Sequence, residues 1–194
     1  MAKAPVPGLA KTRLIPVLGA AGAARLQERF IAATVTTALA AGDVTLWAAP
    51  DDAHPIFREL PPDVHLARQV GSDLGERMHA AIAAARAPVV VIGTDCPALT
   101  ANHLRTAIAL LHDGLDAVIA PAEDGGYVLI GLNRPVPALF QGVAWSTPSV
   151  MAETRHRLAA ANLSWREPFR LWDVDTPEDL DRMRAAQLDH LLAA

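Results

Sequence analysis

Apolar positions along this chain fall into short runs with two alternating periods. Over residues 20–41 they recur at three- and four-residue steps, at Leu26, Phe30 and Ala33, with Thr37 in step. Gly42 stops the run, so the spacing predicts one long helix. Residues 44–48 then read as a buried strand. Residues 50–62 are proline-rich with room for one short helix, and 64–70 read as a strand. Ser72 or Asp73 can cap a helix running to about Arg86. The run PVVVIGTD, residues 88–95, is continuous and β-branched, as strands buried on both faces are. A helix over 100–112 ends at Gly114, and strands follow over 116–121 and 126–132. The remaining pattern predicts a helix over 147–161, a strand over 169–173 and a closing helix over 176–192.

Strands alternating with helices predict the α/β class, a three-layer sandwich around a mostly parallel sheet. The 194 residues carry no repeat or dividing linker, so a single domain over 1–194 is expected. In such sheets ligands bind beyond the carboxyl ends of the strands. Candidate functional residues should therefore follow strands.

Composition narrows the partners. At 52 % hydrophobic residues the chain can bury a sizeable core, yet it has no apolar run of membrane-spanning length. A net charge of −4 with no basic run argues against a nucleic-acid surface. Cys96 is the single cysteine, which excludes an internal disulfide and a thiolate zinc cluster. The seven histidines show no zinc-site spacing. A cytoplasmic protein without membrane or nucleic-acid partners is expected.

Five stretches carry candidate chemistry. In IGTDCPALT, Asp95 ends the best strand, where a carboxylate suits a hard cation; the alternative is an aspartate that caps the turn before the next helix. In LWDVDTPEDL, Asp173 and Asp175 would share one strand face, and Thr176 with Pro177 makes a well-formed helix start. Asp175 is left over from that start and is the second candidate metal ligand. In APAEDGGYVLIGL, Asp124 precedes Gly125 and Gly126, which spacing alone reads as a hairpin turn, with Tyr127 in core or pocket. In QVGSDLGERM, Gln69 and Gly75 lie at a strand-to-helix junction that could read a base edge or serve only as a capped loop. In PVPGLAKTRL, Gly8 stands three residues before Lys11, which rules out a P-loop. Lys11 and Arg13 on a proline-stiffened loop still suit a polyphosphate. Trp145, in WST, could flank a helix cap or touch a substrate.

As an ordered set, AKAPVPGLAKTRL, DLGERM, GTDCPALT, DGGYVLIGL, WST and DVDTPEDL resemble the DUF2064 family. That family is glycosyltransferase-like, of the GT-A or nucleotide-diphospho-sugar transferase superfamily, and some members are labelled arsenosugar biosynthesis glycosyltransferases. More distantly the chain is similar to phospholactate guanylyltransferase and the molybdenum-cofactor guanylyltransferase. The resemblance spans nearly the whole chain. It implies that Ala4, Pro5, Gly8, Lys11 and Arg13 bind the nucleotide, with the cations on its phosphates, and that Gln69, Leu74 and Gly75 lie at the base. It implies that Asp95 and Asp175 hold Mg²⁺ (or Mn²⁺), and that Asp124, Gly125, Gly126, Tyr127 and Trp145 line the acceptor side. Lys11, Arg13 and Asp124 would be the catalytic groups. Relatives open with a hydrophobic strand, whereas only residues 1–3 precede Ala4 here, so a truncated first strand is expected. That predicts an unfilled groove, which packing in a homodimer would cover.

Three functions follow. The first is Mg²⁺-dependent nucleotidylyl transfer from an NTP to a small phosphorylated or acidic acceptor, favoured by the basic loop. The second is glycosyl transfer from a nucleotide-sugar, favoured by the family label, although DCP lacks the second acid of a D-x-D signature. The third is a degenerate, non-catalytic nucleotide-binding protein, suggested by the short first strand.

Overall fold

The structure is a computed structural model that describes residues 1–192. It packs as two compact units, each assembled from separated stretches of chain. The loop unit holds residues 2–68, 94–99 and 173–192, and includes the PVPGLAKTRL loop. The hairpin unit holds Met1, 69–93 and 100–172.

In the loop unit, β1 (Ala2–Lys3), β2 (Val44–Ala49) and β3 (Val64–Arg68) form a parallel sheet in that order. Parallel neighbours need a crossover, and α1 (Ile15–Leu39) supplies the first. Gly19 breaks α1 with φ of 69°, so the continuous helix begins at Ala20, where the periodicity places it. Its inner face buries Leu26, Phe30, Ile31 and Val35. Ile31 and Val35 meet Leu46, Ala48 and Val64 of the sheet. Burying each such large side chain contributes about 1.5–3 kcal/mol.

In the hairpin unit, the order is β4 (Val89–Ile92), β6 (Tyr127–Leu132), β5 (Ala117–Pro121), β7 (Trp165–Arg166). β6 runs antiparallel to both β4 and β5, while β5 and β7 are parallel. Three of the five strand pairings among the described residues are thus parallel. β5 and β6 are almost wholly buried, as their unbroken apolar runs predict. α2 (Leu74–Ala84), α3 (Ala101–His112) and α4 (Val150–Ala160) complete this unit. Asp73 caps α2 by accepting from the Glu76 amide at 2.8 Å.

Three predicted elements differ. The strand expected over 88–95 is β4, which stops at Ile92, three residues short of Asp95, and only Val91 in it is buried, so Asp95 lies in the loop beyond the strand. Residues 169–173 are not a strand: only one bridge forms, from the Leu171 amide to the Pro121 carbonyl at 3.0 Å. The strand lies earlier, at β7, and Pro168 follows it without an amide to extend the ladder. The closing helix also stops early, as α5 (Pro177–Ala185) in the loop unit. Gln187 adopts φ of 58° there. Amides of Gln187 and Leu188 reach back to the carbonyls of Arg184 and Met183, which is a Schellman ending. A glutamine gives no sequence signal for that stop. Gly114 ends α3 in the same way and was legible.

Candidate functional site

The PVPGLAKTRL stretch is a packed loop. The Ala4 amide donates to the Ala49 carbonyl at 2.7 Å, and the amides of Leu9 and Ala10 fold back on Val6. Ala4, Ala10 and Leu14 are buried, while Gly8 turns the chain with φ of 82°. Lys11 itself takes φ of 47°, an uncommon conformation for a side-chain-bearing residue. Such a backbone persists when its surroundings hold it, and the Lys11 side chain provides the hold.

That side chain is only 3 % exposed. Its Nζ lies 2.8 Å from Asp95 Oδ1, donates to the Val174 carbonyl at 2.6 Å, and sits 5.4 Å from the centre of the Phe30 ring. Val174 is fully buried, and its amide donates to the Asp95 carbonyl at 2.8 Å. One ammonium thus ties together the three stretches around residues 11, 95 and 174. Asp95 Oδ1 is buried and, apart from this charge contact, lacks a directed hydrogen bond. The Asp95 side chain is nonetheless 48 % exposed, so its second oxygen faces outward. Beside Asp95, Thr94 Oγ1 accepts from buried Gln27 Nε2 at 3.1 Å.

Arg13 pairs with Asp175 Oδ2, and both side chains are open, at 68 % and 45 % exposure. Asp179 Oδ2 accepts from the amides of Asp175 and Thr176 and from the Thr176 hydroxyl, at 2.7–2.9 Å. This fixes the chain bearing Asp175 at the α5 start. Asp173 and Asp175 therefore do not project from a strand. The four expected residues of this unit do meet, as two cation–carboxylate pairs. Among the described residues no three acidic, histidine or cysteine side chains cluster in a metal-holding group. Two half-open carboxylates are still a donor set suited to Mg²⁺, which takes one or two carboxylates plus phosphate oxygens.

In the hairpin unit, Gly75 is buried at the start of α2. A Cβ there would stand 2.5 Å from the Phe140 carbonyl and 2.6 Å from Trp145 Nε1. Trp145 in turn meets Tyr127 edge to face at 6.4 Å. Tyr127 places its hydroxyl 3.9 Å from Met78 Sδ, and burial pushes its phenol well above the usual range. Gly75, Trp145 and Tyr127 thus form one packed cluster, although the resemblance divides them between base and acceptor. Leu74, by contrast, is 42 % exposed.

The loop joining β5 to β6 is the turn that its spacing predicts. Asp124 Oδ1 accepts from the Gly126 amide at 2.9 Å, and Asp124 is exposed. Gly125 has φ of 95°, and a Cβ on it would fall 2.2 Å from the Pro148 carbonyl. The Gly125 carbonyl accepts from the Met151 amide at 2.8 Å. Beyond the loop lies a cavity of about 340 Å³ whose walls include Arg155, Glu167 and Arg170. Arg155 Nε and Nη2 grip the two Glu167 oxygens at 2.8 and 2.7 Å. These bonds hold the Glu167 carboxyl below its ordinary 4.5, against burial, with Trp165 Nε1 assisting. They also push Arg155 up.

Sequence reasoning missed Gln27, Val174 and the Arg155–Glu167 pair. Gln27 had a signal, as a polar residue inside the apolar face of α1. Val174 acts through its backbone, and Arg155 and Glu167 are twelve residues apart, so neither leaves a local pattern.

The family model for uncharacterized proteins conserved in bacteria, DUF2064, matches residues 32–147. A comparison with curated proteins gives no match. Among solved structures, a protein from Desulfovibrio desulfuricans G20, provisionally assigned as a nucleotide-diphospho-sugar transferase, is 30 % identical with a TM-score of 0.82. The likeness covers 98 % of this chain and 94 % of that one, including the basic loop and DVDTPEDL outside the family match. CMP:2-keto-3-deoxy-manno-octonic acid synthetase complexed with CTP is 14 % identical, with a TM-score of 0.56 over 83 % of this chain and 88 % of that one, and so shares the fold. With α/β units of this type and a family match over more than half its length, the chain belongs to the DUF2064 family.

Proposed function

We propose that this protein is a nucleotide-using transferase, and that its reaction is Mg²⁺-dependent nucleotidylyl transfer from an NTP to a small phosphorylated or acidic acceptor. The carrying observation is the pairing of Lys11 with Asp95 and of Arg13 with Asp175 in one unit. Two cations and two half-open carboxylates held on packed loops can bind a metal–polyphosphate without much reorganisation. Arg13, more open than Lys11, offers a fork to phosphate oxygens. Asp95 and Asp175 would hold the Mg²⁺, which supplies Lewis-acid stabilisation of charge on the phosphates. Lys11 holds Asp95 in place and balances its charge until the ligand arrives. Gln69, Leu74 and Gly75 are proposed for the base, and Asp124 for the acceptor side.

Glycosyl transfer from a nucleotide-sugar is the second reading. Its support is the 30 % identical relative, whose provisional assignment is to a nucleotide-diphospho-sugar transferase.

Thermal-shift measurements with NTPs and nucleotide-sugars, each with and without Mg²⁺, separate the readings. Stabilisation by an NTP with Mg²⁺, and pyrophosphate release once an acceptor is added, is expected for the first. Stabilisation by a nucleotide-sugar alone would move the assignment to the second. Absence of any metal-dependent shift would sink both.

A further inference from the structure

The cavity beside the β5–β6 loop has a chemistry that the nucleotide reading leaves unused. It opens at Pro121, the end of β5, and beside Glu167, directly after β7. β5 and β7 are parallel, so this is the carboxyl edge of a parallel pair, where α/β sheets bind ligands. Met151 and Phe169 supply apolar wall, and Phe169 is steadied by the His103 ring at 4.6 Å.

Three of the residues lining this space carry donors without a committed partner among the described residues. Arg155 spends Nε and Nη2 on Glu167, and its Nη1 bonds to nothing among the described residues. Arg170 is exposed and makes no ion pair among the described residues. The Ala152 amide, in the first turn of the eleven-residue α4, finds no backbone acceptor there either, while its neighbours Met151 and Glu153 do. The Pro148 carbonyl, which would ordinarily receive it, instead crowds Gly125. Glu167 offers the one negative charge, and the Arg155 fork already covers both its oxygens. The balance is a cavity with surplus cationic and amide donors against a partly apolar wall.

We infer that this cavity binds the oxyanion of the second substrate, a small molecule bearing a carboxylate or phosphate, with Arg170 as its principal contact and Arg155 Nη1 and the Ala152 amide as supports. Resting on the transferase reading, this assigns the acceptor's charged end to residues 152, 155 and 170, and leaves Trp145 and Tyr127 to packing. Glu167 is a positioning residue that aims Arg155.

The test is a ¹⁵N NMR titration of the full chain with inorganic phosphate and, in a second arm, with malonate, each at ionic strength matched by NaCl. Saturable shifts of the Gly125 and Ala152 amides are expected, with the tighter arm naming the oxyanion. Arg170→Gln should weaken that binding about tenfold, as loss of a charge-assisted bond does, and Arg170→Lys should restore part of it. Shifts elsewhere only, or at these amides but unchanged in Arg170→Gln, overturn the inference. Thermal shift with Mg²⁺–NTP on the same samples keeps the two ideas apart. If nucleotides stabilise the protein while these amides stay still, the oxyanion site falls and the transferase reading stands. If the amides respond and no nucleotide stabilises, the transferase reading and the acceptor role fall together.

Discussion

Lys11 is the residue whose role changes most between sequence and structure. A lysine on a loop usually waits in solvent for its ligand, yet this side chain is enclosed and spent on Asp95 and Val174. Removing one partner of an enclosed pair leaves the other charge stranded. Because Asp95 is half open, the cost is smaller than for a fully buried pair. Lys11→Met, which keeps the stem against Phe30, should destabilise by about 1–3 kcal/mol in urea unfolding. In combination with Asp95→Asn the loss should be smaller than the sum of the two single variants. Additivity to within about 0.5 kcal/mol would show that the pair contributes nothing. Gly125 gives a second prediction at this scale, by contrast with Gly8. Both have positive φ, but only Gly125 has a neighbour where its Cβ would be. Gly8→Ala should cost about 1 kcal/mol, the backbone term alone. Gly125→Ala should cost more, because the Pro148 carbonyl must move as well. Equal melting temperatures for the two variants would contradict the close approach.

Elements built from continuous apolar runs were legible to within two or three residues, because burial on both faces leaves a signal that needs no partner. β5 and β6 are of this kind, whereas β2 buries only Leu46 and Ala48 and α1 was legible from its three- and four-residue steps. β7 and the end of α5 were not, because a two-residue strand is defined by its neighbour and an αL glutamine by its hydrogen bonds. The same division runs through the candidate site. Asp95, Asp175, Lys11 and Arg13 are charged residues beside turns, visible as motifs. Their pairing was not, since it joins positions more than 80 residues apart. Two predictions belong here. Gln187→Gly should stabilise the chain by about 1 kcal/mol, because glycine adopts the α5 C′ conformation without a Cβ penalty. An unchanged or lowered melting temperature would contradict it. The link from β7 to α4 should also show in the pH profile. Glu167 is held below its ordinary 4.5 by Arg155, so the folded state binds its proton less readily than the unfolded chain. Its stabilisation is complete above about pH 4.5 and is lost as pH falls through the lower folded value. Glu167→Gln should therefore lose stability at neutral pH and show a flatter acid limb. A parallel acid limb in both proteins would mean that the pair carries no linkage.

For the whole molecule, the net charge of −4 would by itself discourage a polyanion, so any nucleotide must be met by locally arranged cations. Those cations are already neutralised, Lys11 by Asp95 and Arg13 by Asp175. A nucleotide arriving alone would have to pull them from their carboxylates and leave two anions facing its phosphates. Mg²⁺ arriving alone would have to displace the cations with nothing to receive them. On the proposed reading, ligands arriving together would exchange partners: the phosphates would be met by Lys11 and Arg13, and Asp95 and Asp175 would hold the metal, so that no charge is stranded. Binding should then be cooperative. Mg²⁺ alone and NTP alone should each shift the melting temperature little, and the pair should shift it by more than the sum. Linkage requires the same factor in both directions, so Mg²⁺ should tighten NTP as much as NTP tightens Mg²⁺ in calorimetric titrations. Asp175→Asn frees Arg13, so it should improve binding of NTP without metal while it weakens the cooperative term. If Asp175→Asn weakens metal-free NTP binding, or Mg²⁺ alone gives the full shift, the exchange of partners is wrong.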